Sequence, residues 1–345
     1  MLISSPHLTL AGNTGHLMRL VILATIPALA VLTWFFGWGN LINIVWASIV
    51  ALIFEGVMLK FRKRPVWINL ADSSAVLTAV LLGLALPPES PWWLTMTATG
   101  FAIIVAKQLY GGLGQNPFNP AMVGYALVLI AFPLEMTTWL APRTLVESQS
   151  TPGFLESLTT IFSFLDQTTQ QSVDAVTMAT PLDSFKHKGA LIAADAWRNK
   201  PTLTARGWIA WQLVSAGYLI GGMFLIYRRV FTWHAPLSML LSLSVISMVF
   251  WLINPDQYAS PELHLLGGAT MLGAFFILTD PVSSATSLKG KVVFGCGAGI
   301  LIYLIRTWGS YPDGVAFSVL LMNFAAPLID HFCQPRTYGH RISER

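Results

Sequence analysis

The sequence predicts an all-α polytopic membrane protein of about ten transmembrane helices. Three observations predict it. Hydrophobic residues make up 54% of the chain and charged residues only 10%, against roughly a quarter charged in ordinary soluble domains. Apolar runs of near-membrane length recur along the chain, and a bilayer core about 30 Å thick needs around 20 such residues per helix. Lysine and arginine collect between alternate runs, as they do when one side of a membrane receives the positive loops. The net charge of +4 is too small to mark a nucleic-acid partner.

The runs fall at 18–37, 41–59, 73–87, 91–109, 120–140, 207–227, 235–253, 264–280, 291–306 and 314–331. The first is too long for a cleavable signal peptide and reads as a retained span. The third and eighth are short and run into proline, at Leu86-Pro87-Pro88 and Thr279-Asp280-Pro281. Both are expected to be broken or tilted helices.

Lys60, Arg62, Lys63 and Arg64 follow the second run, Arg228 and Arg229 the sixth, Lys289 and Lys291 precede the ninth, and Arg336, Arg341 and Arg345 follow the tenth. With this count of spans all of these clusters face one compartment, the cytoplasm, and in a bacterium the opposite side is the periplasm. The opposite loops carry Glu89, Glu135, Asp256, Glu262 and Asp313, with Arg306 the cation near a span end there. The expected layout is a cytoplasmic N-terminus at 1–17, a first transmembrane repeat at 18–140, a periplasmic loop at 141–206, a second repeat at 207–331, and a cytoplasmic C-terminus at 332–345.

The division into halves rests on an internal match. Val123 to Phe132 aligns without gaps on Val315 to Phe324, and Ala75 to Ala79 aligns more weakly on Thr270 to Ala274. An odd number of spans per unit turns the second copy upside down, so the expectation is two inverted repeats of about five helices each.

Two polar or broken segments interrupt the apolar background. Tyr110 to Pro120 combines three glycines with Gln115, Asn116 and Asn119 at the cytoplasmic entry to the fifth run. Asn119 is placed to cap a helix opening at Pro120. The neutral amides also suit a flat ligand such as an isoalloxazine ring, which offers carbonyls and N–H groups but no phosphate. The second segment, His264 to Pro281, carries Gly267, Gly268 and Gly273 for close helix packing. Two readings stand for Asp280, a functional carboxylate near the membrane and a cap for Val282 to Thr286. Lys107 is expected to snorkel to the interface.

Cys296 and Cys333 show no metal-ligand spacing and read as buried free thiols. His7, His16, His234 and His331 sit at span ends and read as interfacial, so no metal site is expected. No Ser-His-Asp arrangement, phosphate loop or metal-ligand cluster is evident, so catalysis by side chains alone is unsupported, whereas chemistry by a bound cofactor is consistent with the sequence.

The remaining stretch is Asp174-Ala175-Val176-Thr177-Met178-Ala179-Thr180-Pro181-Leu182. Proline pushes Thr180 out of the helical region, so its hydroxyl is presentable in an extended or turn backbone. A plain turn satisfies the same pattern. The stretch resembles the flavin-attachment motif of the RnfD and NqrB family, with Thr177 and Met178 standing where that motif commonly has Ser-Gly. Ala106 to Met122, Ala269 to Val282, Tyr311 to Phe317 and Tyr338 to Arg341 are similar to signature segments of the same family.

The resemblance implies a urea-transporter-like fold and FMN esterified through its phosphate to Thr180, with Asp174, Thr177 and Ala179 part of what a flavin transferase reads. It also implies a non-covalent riboflavin among the helices, for which Gln115, Asn116 and Asn119 are the candidates, and an ion path for which Asp280 is the candidate. The partners implied are membrane lipid and the A, B, C, E and G subunits of the Rnf complex, which passes electrons between ferredoxin and NAD while sodium ions or protons cross the membrane. The alternative reading is a urea-transporter-like channel without redox chemistry, and a third is a structural anchor for other subunits.

Overall fold

The computed structural model describes residues 14–145, 152–163, 177–189, 191–311 and 313–333. The architecture is all-α and polytopic. Among the described residues, six helices are long and apolar enough to cross a membrane: Thr14–Phe36, Gly39–Phe61, Ala205–Tyr227, His234–Ile253, Leu288–Trp308 and Val315–Phe332. The other expected spans are built from shorter pieces. Ser74–Ala85 occupies the third, Trp92–Gly100 and a π-helix at Phe101–Gln108 the fourth, and Pro120–Ala131 with Pro133–Thr137 the fifth. The eighth is divided into Pro261–Leu266, Thr270–Leu272 and a π-helix at Gly273–Ile277. The first long helix bends at Thr25, whose hydroxyl donates to the Ile22 carbonyl at 2.7 Å just before Pro27.

Close packing depends on small residues, as expected where lipid supplies no hydrophobic drive between helices. Ala205–Tyr227 crosses Ile26–Phe36, and a Cβ at Gly217 would stand 2.7 Å from the Ala28 Cα, with Gly221 tighter still on the Ala24 carbonyl. His234–Ile253 lies along Leu288–Trp308, where Gly295 and Gly299 face Ser238 and Ser242.

The interrupted helices need partners for their open ends. Asn40 Nδ2 donates to the Gly83 and Leu86 carbonyls at 3.3 and 3.4 Å, and Asn43 Nδ2 to those of Pro87 and Pro88 at 3.4 and 2.9 Å. Two amides thereby replace the turn that Pro87 and Pro88 deny the helix.

In the later part of the chain Arg306 does the equivalent work. It lies in the last turn of Leu288–Trp308, near a span end as expected, and is buried there. Its guanidinium donates to the His264 carbonyl at 2.5 Å, to Thr270 Oγ1 at 2.8 Å and to Asp313 Oδ1 at 3.0 Å. Asp313 in turn accepts from the Ala269 and Val315 N–H groups at 2.9 and 3.1 Å.

Glu89 lies in the loop between Ser74–Ala85 and Trp92–Gly100 and accepts from Ser157 Oγ at 2.8 Å. Ser157 belongs to the helix Phe154–Phe162, which rests on Trp38 and Trp46 through edge-on contacts of Phe154 and Phe162. Burial pushes the Glu89 carboxyl up to about 7 from 4.5, with the Ser157 hydrogen bond opposing.

Two outcomes are expected. Replacing Arg306 by Met leaves Asp313 without its cation, and the protein in detergent is expected to lose about 3–5 kcal/mol of stability, read by thermal unfolding. Because the folded-state value of Glu89 is raised, its contribution to docking is full below about pH 4.5 and is lost as pH rises through about 7. Hydrogen exchange of 154–162 is therefore expected to quicken across that window, and Glu89→Gln to abolish the dependence.

Candidate functional site

Two sites lie against opposite ends of the interrupted helices. The first is built around Thr180. Thr177–Met178 pairs antiparallel with Trp139–Leu140, Trp139 opposite Met178 and Leu140 opposite Thr177, which ties the segment to the end of the fifth expected span. Two residues later Thr180 is extended, with φ −64 and ψ 162, and caps the short helix Pro181–Lys186 by accepting from the Asp183 N–H at 3.3 Å. Among the described residues the hydroxyl oxygen has one capping bond and its proton has no acceptor.

That short helix is fastened to the scaffold at several points. Pro181, Leu182, Ser184 and Phe185 are buried, Thr202 Oγ1 donates to Ser184 Oγ at 2.7 Å, and Lys186 Nζ donates to the Tyr311 carbonyl at 2.6 Å. Burial lowers the Lys186 ammonium, with nearby Asp183 opposing. Thr180 is half-buried and faces a cleft of about 90 Å³ walled by Tyr125, Trp139 and Trp211 on one side and Gly267, Gly268 and Asp313 on the other. The sequence suggests an open loop, whereas the residue sits at a junction of segments from both parts of the chain. Thr177 and Ala179 are half-buried beside it, and Asp174 lies outside the described residues.

The second site is a cavity of about 440 Å³, within the range of pockets that hold small cofactors. Asn116, Asn119 and Asp280 all line it, as do Ser74 and Lys107. Gln115 is exposed and outside this lining. Gly111, Gly112 and Gly114 all adopt φ between 89 and 130, a conformation that carries the chain around the cavity mouth only with glycine.

Asn119 does three things at once. Its Oδ1 accepts from the Ala121 and Met122 N–H groups, its Nδ2 reaches the Ile277 carbonyl at 3.4 Å, and its backbone N–H donates to Asn323 Oδ1 at 3.1 Å. Asn323 Nδ2 continues to the Ser283 carbonyl at 2.9 Å. Asn116 Nδ2 donates to the Phe118 carbonyl, but its buried Oδ1 has no partner among the described residues. Asp280 accepts from Ser283 Oγ at 2.7 Å and the Val282 N–H at 3.3 Å, so it caps the following turn while facing the cavity.

The structure corrects the expectation for Lys107. It is 2% exposed, and its Nζ meets Glu55 Oε1 at 2.6 Å and Ser74 Oγ at 2.6 Å. The π-helix at Phe101–Gln108 presents Lys107 and Gln108 to the same carboxylate, Gln108 Nε2 reaching Glu55 Oε1 at 2.8 Å. Sequence reasoning misses Glu55, whose signal is its place as the acidic residue within the otherwise apolar Gly39–Phe61. Cys296 and Cys333 are free but only half-buried.

Comparison with known proteins places this geometry in a family. Residues 1–339 match the NQR2, RnfD, RnfE family. The chain is 54% identical to the D subunit of the ion-translocating oxidoreductase complex of Marinobacter nauticus, over 99% of this chain and 96% of that one. It is 50% identical to the protein of the same name from Cellvibrio japonicus, over 99% and 96%, and 50% identical to that of Yersinia pseudotuberculosis, over 99% of both.

Replacing Asn119 by Ala removes the cap and the side-chain link to the Ile277 carbonyl, while the backbone N–H that donates to Asn323 remains. A loss of about 1–2 kcal/mol is expected from the cap alone, measured as a lower thermal midpoint in detergent, with Asn119→Asp retaining the cap but not the Ile277 link.

Proposed function

Because the chain belongs to the NQR2, RnfD, RnfE family, we propose that it is the membrane subunit of a complex that couples electron transfer to ion translocation. The observation that carries this reading is near-complete coverage of relatives named as the D subunit of an ion-translocating oxidoreductase complex. In that role it crosses a bacterial inner membrane about ten times in two inverted repeats, with both termini cytoplasmic and 141–206 periplasmic. Its partners are the other Rnf subunits, and the electrons pass between ferredoxin and NAD.

Thr180 carries FMN as a phosphoester, attached by a flavin transferase that reads the residues from Asp174 to Ala179. What supports this is the extended backbone at Thr180, its available hydroxyl proton and the aromatic walls of the adjoining cleft. Tethering fixes the local concentration of a group that the small cleft does not enclose. The cavity at Asn116 and Asn119 holds a second, dissociable flavin without phosphate. Its size and the unpartnered Asn116 Oδ1 fit an isoalloxazine edge that offers N–H groups. Bound flavins supply the one- and two-electron chemistry that no side chain here can perform.

The chain's own residues orient these groups and exclude water. Asp280 takes the place of an ion-path carboxylate beside the cavity. Replacing it by Asn is expected to reduce ion transport per electron passed while electron flux persists, measured with the complex in sealed vesicles. The flavin assignment is tested on the Thr180→Ala variant, which is expected to insert and fold but to lose all fluorescence on a denaturing gel. Mass spectrometry of the wild-type peptide is expected to show the FMN increment on Thr180. A colourless wild-type protein of bare polypeptide mass would instead favour a transport channel.

A further inference from the structure

The cavity wall contains a charge arrangement that the proposed flavin site does not by itself require. Lys107 and Ser74 line the cavity, whereas Glu55 is absent from its lining and stands behind the lysine. Glu55 lies six residues before the end of Gly39–Phe61, roughly 9 Å along the helix axis at 1.5 Å per residue. Both charges are therefore held inside the apolar part of the protein, where intramembrane ionisable groups are expensive to keep.

They are also held rigidly. Ser74 Oγ accepts from Lys107 and donates to Asp72 Oδ1 at 2.6 Å. Glu55 Oε1 takes Lys107 and Gln108, and Gln108 Oε1 accepts from Arg62 Nη1 at 2.9 Å. Glu55 Oε2 is buried and has no partner among the described residues. The carboxylate is thus committed to the lysine side, and the pair presents its positive end to the cavity. At short range in a medium of low polarity the nearer charge dominates the potential felt by an occupant.

We propose that Lys107, positioned by Glu55 and Ser74, is a charge-compensating residue of the cavity and raises the reduction potential of the flavin held there. The inference rests on the reading of the cavity as a flavin site. A reduced isoalloxazine carries more electron density than the oxidised ring, so a fixed cation beside it stabilises the reduced form. Asp280 and Lys291 also line the cavity. The Asp280 oxygens are occupied by Ser283 and Val282, and Lys291 is a second cation that stays in place when Glu55 or Lys107 is replaced. Glu55 moderates the cation from behind.

The arrangement makes a prediction of sign that a purely structural ion pair does not share. Full-length protein carrying Thr180→Ala is purified so that only dissociable flavin remains, and that flavin is titrated reductively. Glu55→Gln keeps the lysine and removes its counter-charge, so the midpoint is expected to rise. The double variant Glu55→Gln with Lys107→Met replaces the pair by neutral side chains of similar size and avoids an unpaired charge. Its midpoint is expected to fall below that of the Thr180→Ala parent, with flavin content preserved. Midpoints that move in the same direction, or stay unchanged with flavin retained, overturn the role of Lys107 and leave the cavity reading intact. Absence of dissociable flavin from the parent protein overturns both.

Discussion

The structure depends on one constraint: helices that stop inside a lipid-bounded interior leave backbone carbonyls and N–H groups with no water to satisfy them. Each orphan group costs several kcal/mol there. The side chains that answer this cost are placed at the breaks. Asn40 and Asn43 receive the end of Ser74–Ala85, while Arg306 and Asp313 close the gap between Pro261–Leu266 and Thr270–Leu272. Asn119 and Asn323 join the broken segments to each other.

Breaking helices also creates room. The cavity opens beside the breaks near Asn119 and Asp280, and the cleft opens beside Gly267 and Gly268. Neither space collapses, because glycine contacts such as Gly217 on Ala28 and Gly295 on Ala235 fix the surrounding helices at close range. A rigid frame around polar openings suits the positioning of the proposed cofactors. The same frame keeps Glu55 and Lys107 paired where an unpaired charge would be prohibitive.

The outer segment follows a different logic. Residues near Thr180 have little core of their own and borrow order from the scaffold, through the strand pair with Trp139–Leu140, buried Leu182 and Phe185, and the Lys186 link to Tyr311. Thr180 consequently has a defined backbone and a defined neighbourhood. For the proposed tethered group this means a restricted arc of positions at the cleft mouth.

The amino-acid order by itself determined the all-α membrane class, the positions of the long apolar helices, the breaks at Pro87 and Pro281, the Asn119 cap and the extended Thr180, because composition, proline geometry and capping act over a few residues. It also marked Asn116, Asn119 and Asp280, although not that they share one cavity. Only the tertiary structure decided that Lys107 turns inward, that Arg306 is buried, that Gln115 stays outside and that Thr180 borders a cleft. The first two depend on partners far along the chain, Glu55 for Lys107 and His264 for Arg306. The free energy of a buried charge is set by what surrounds it, and local sequence does not contain its surroundings.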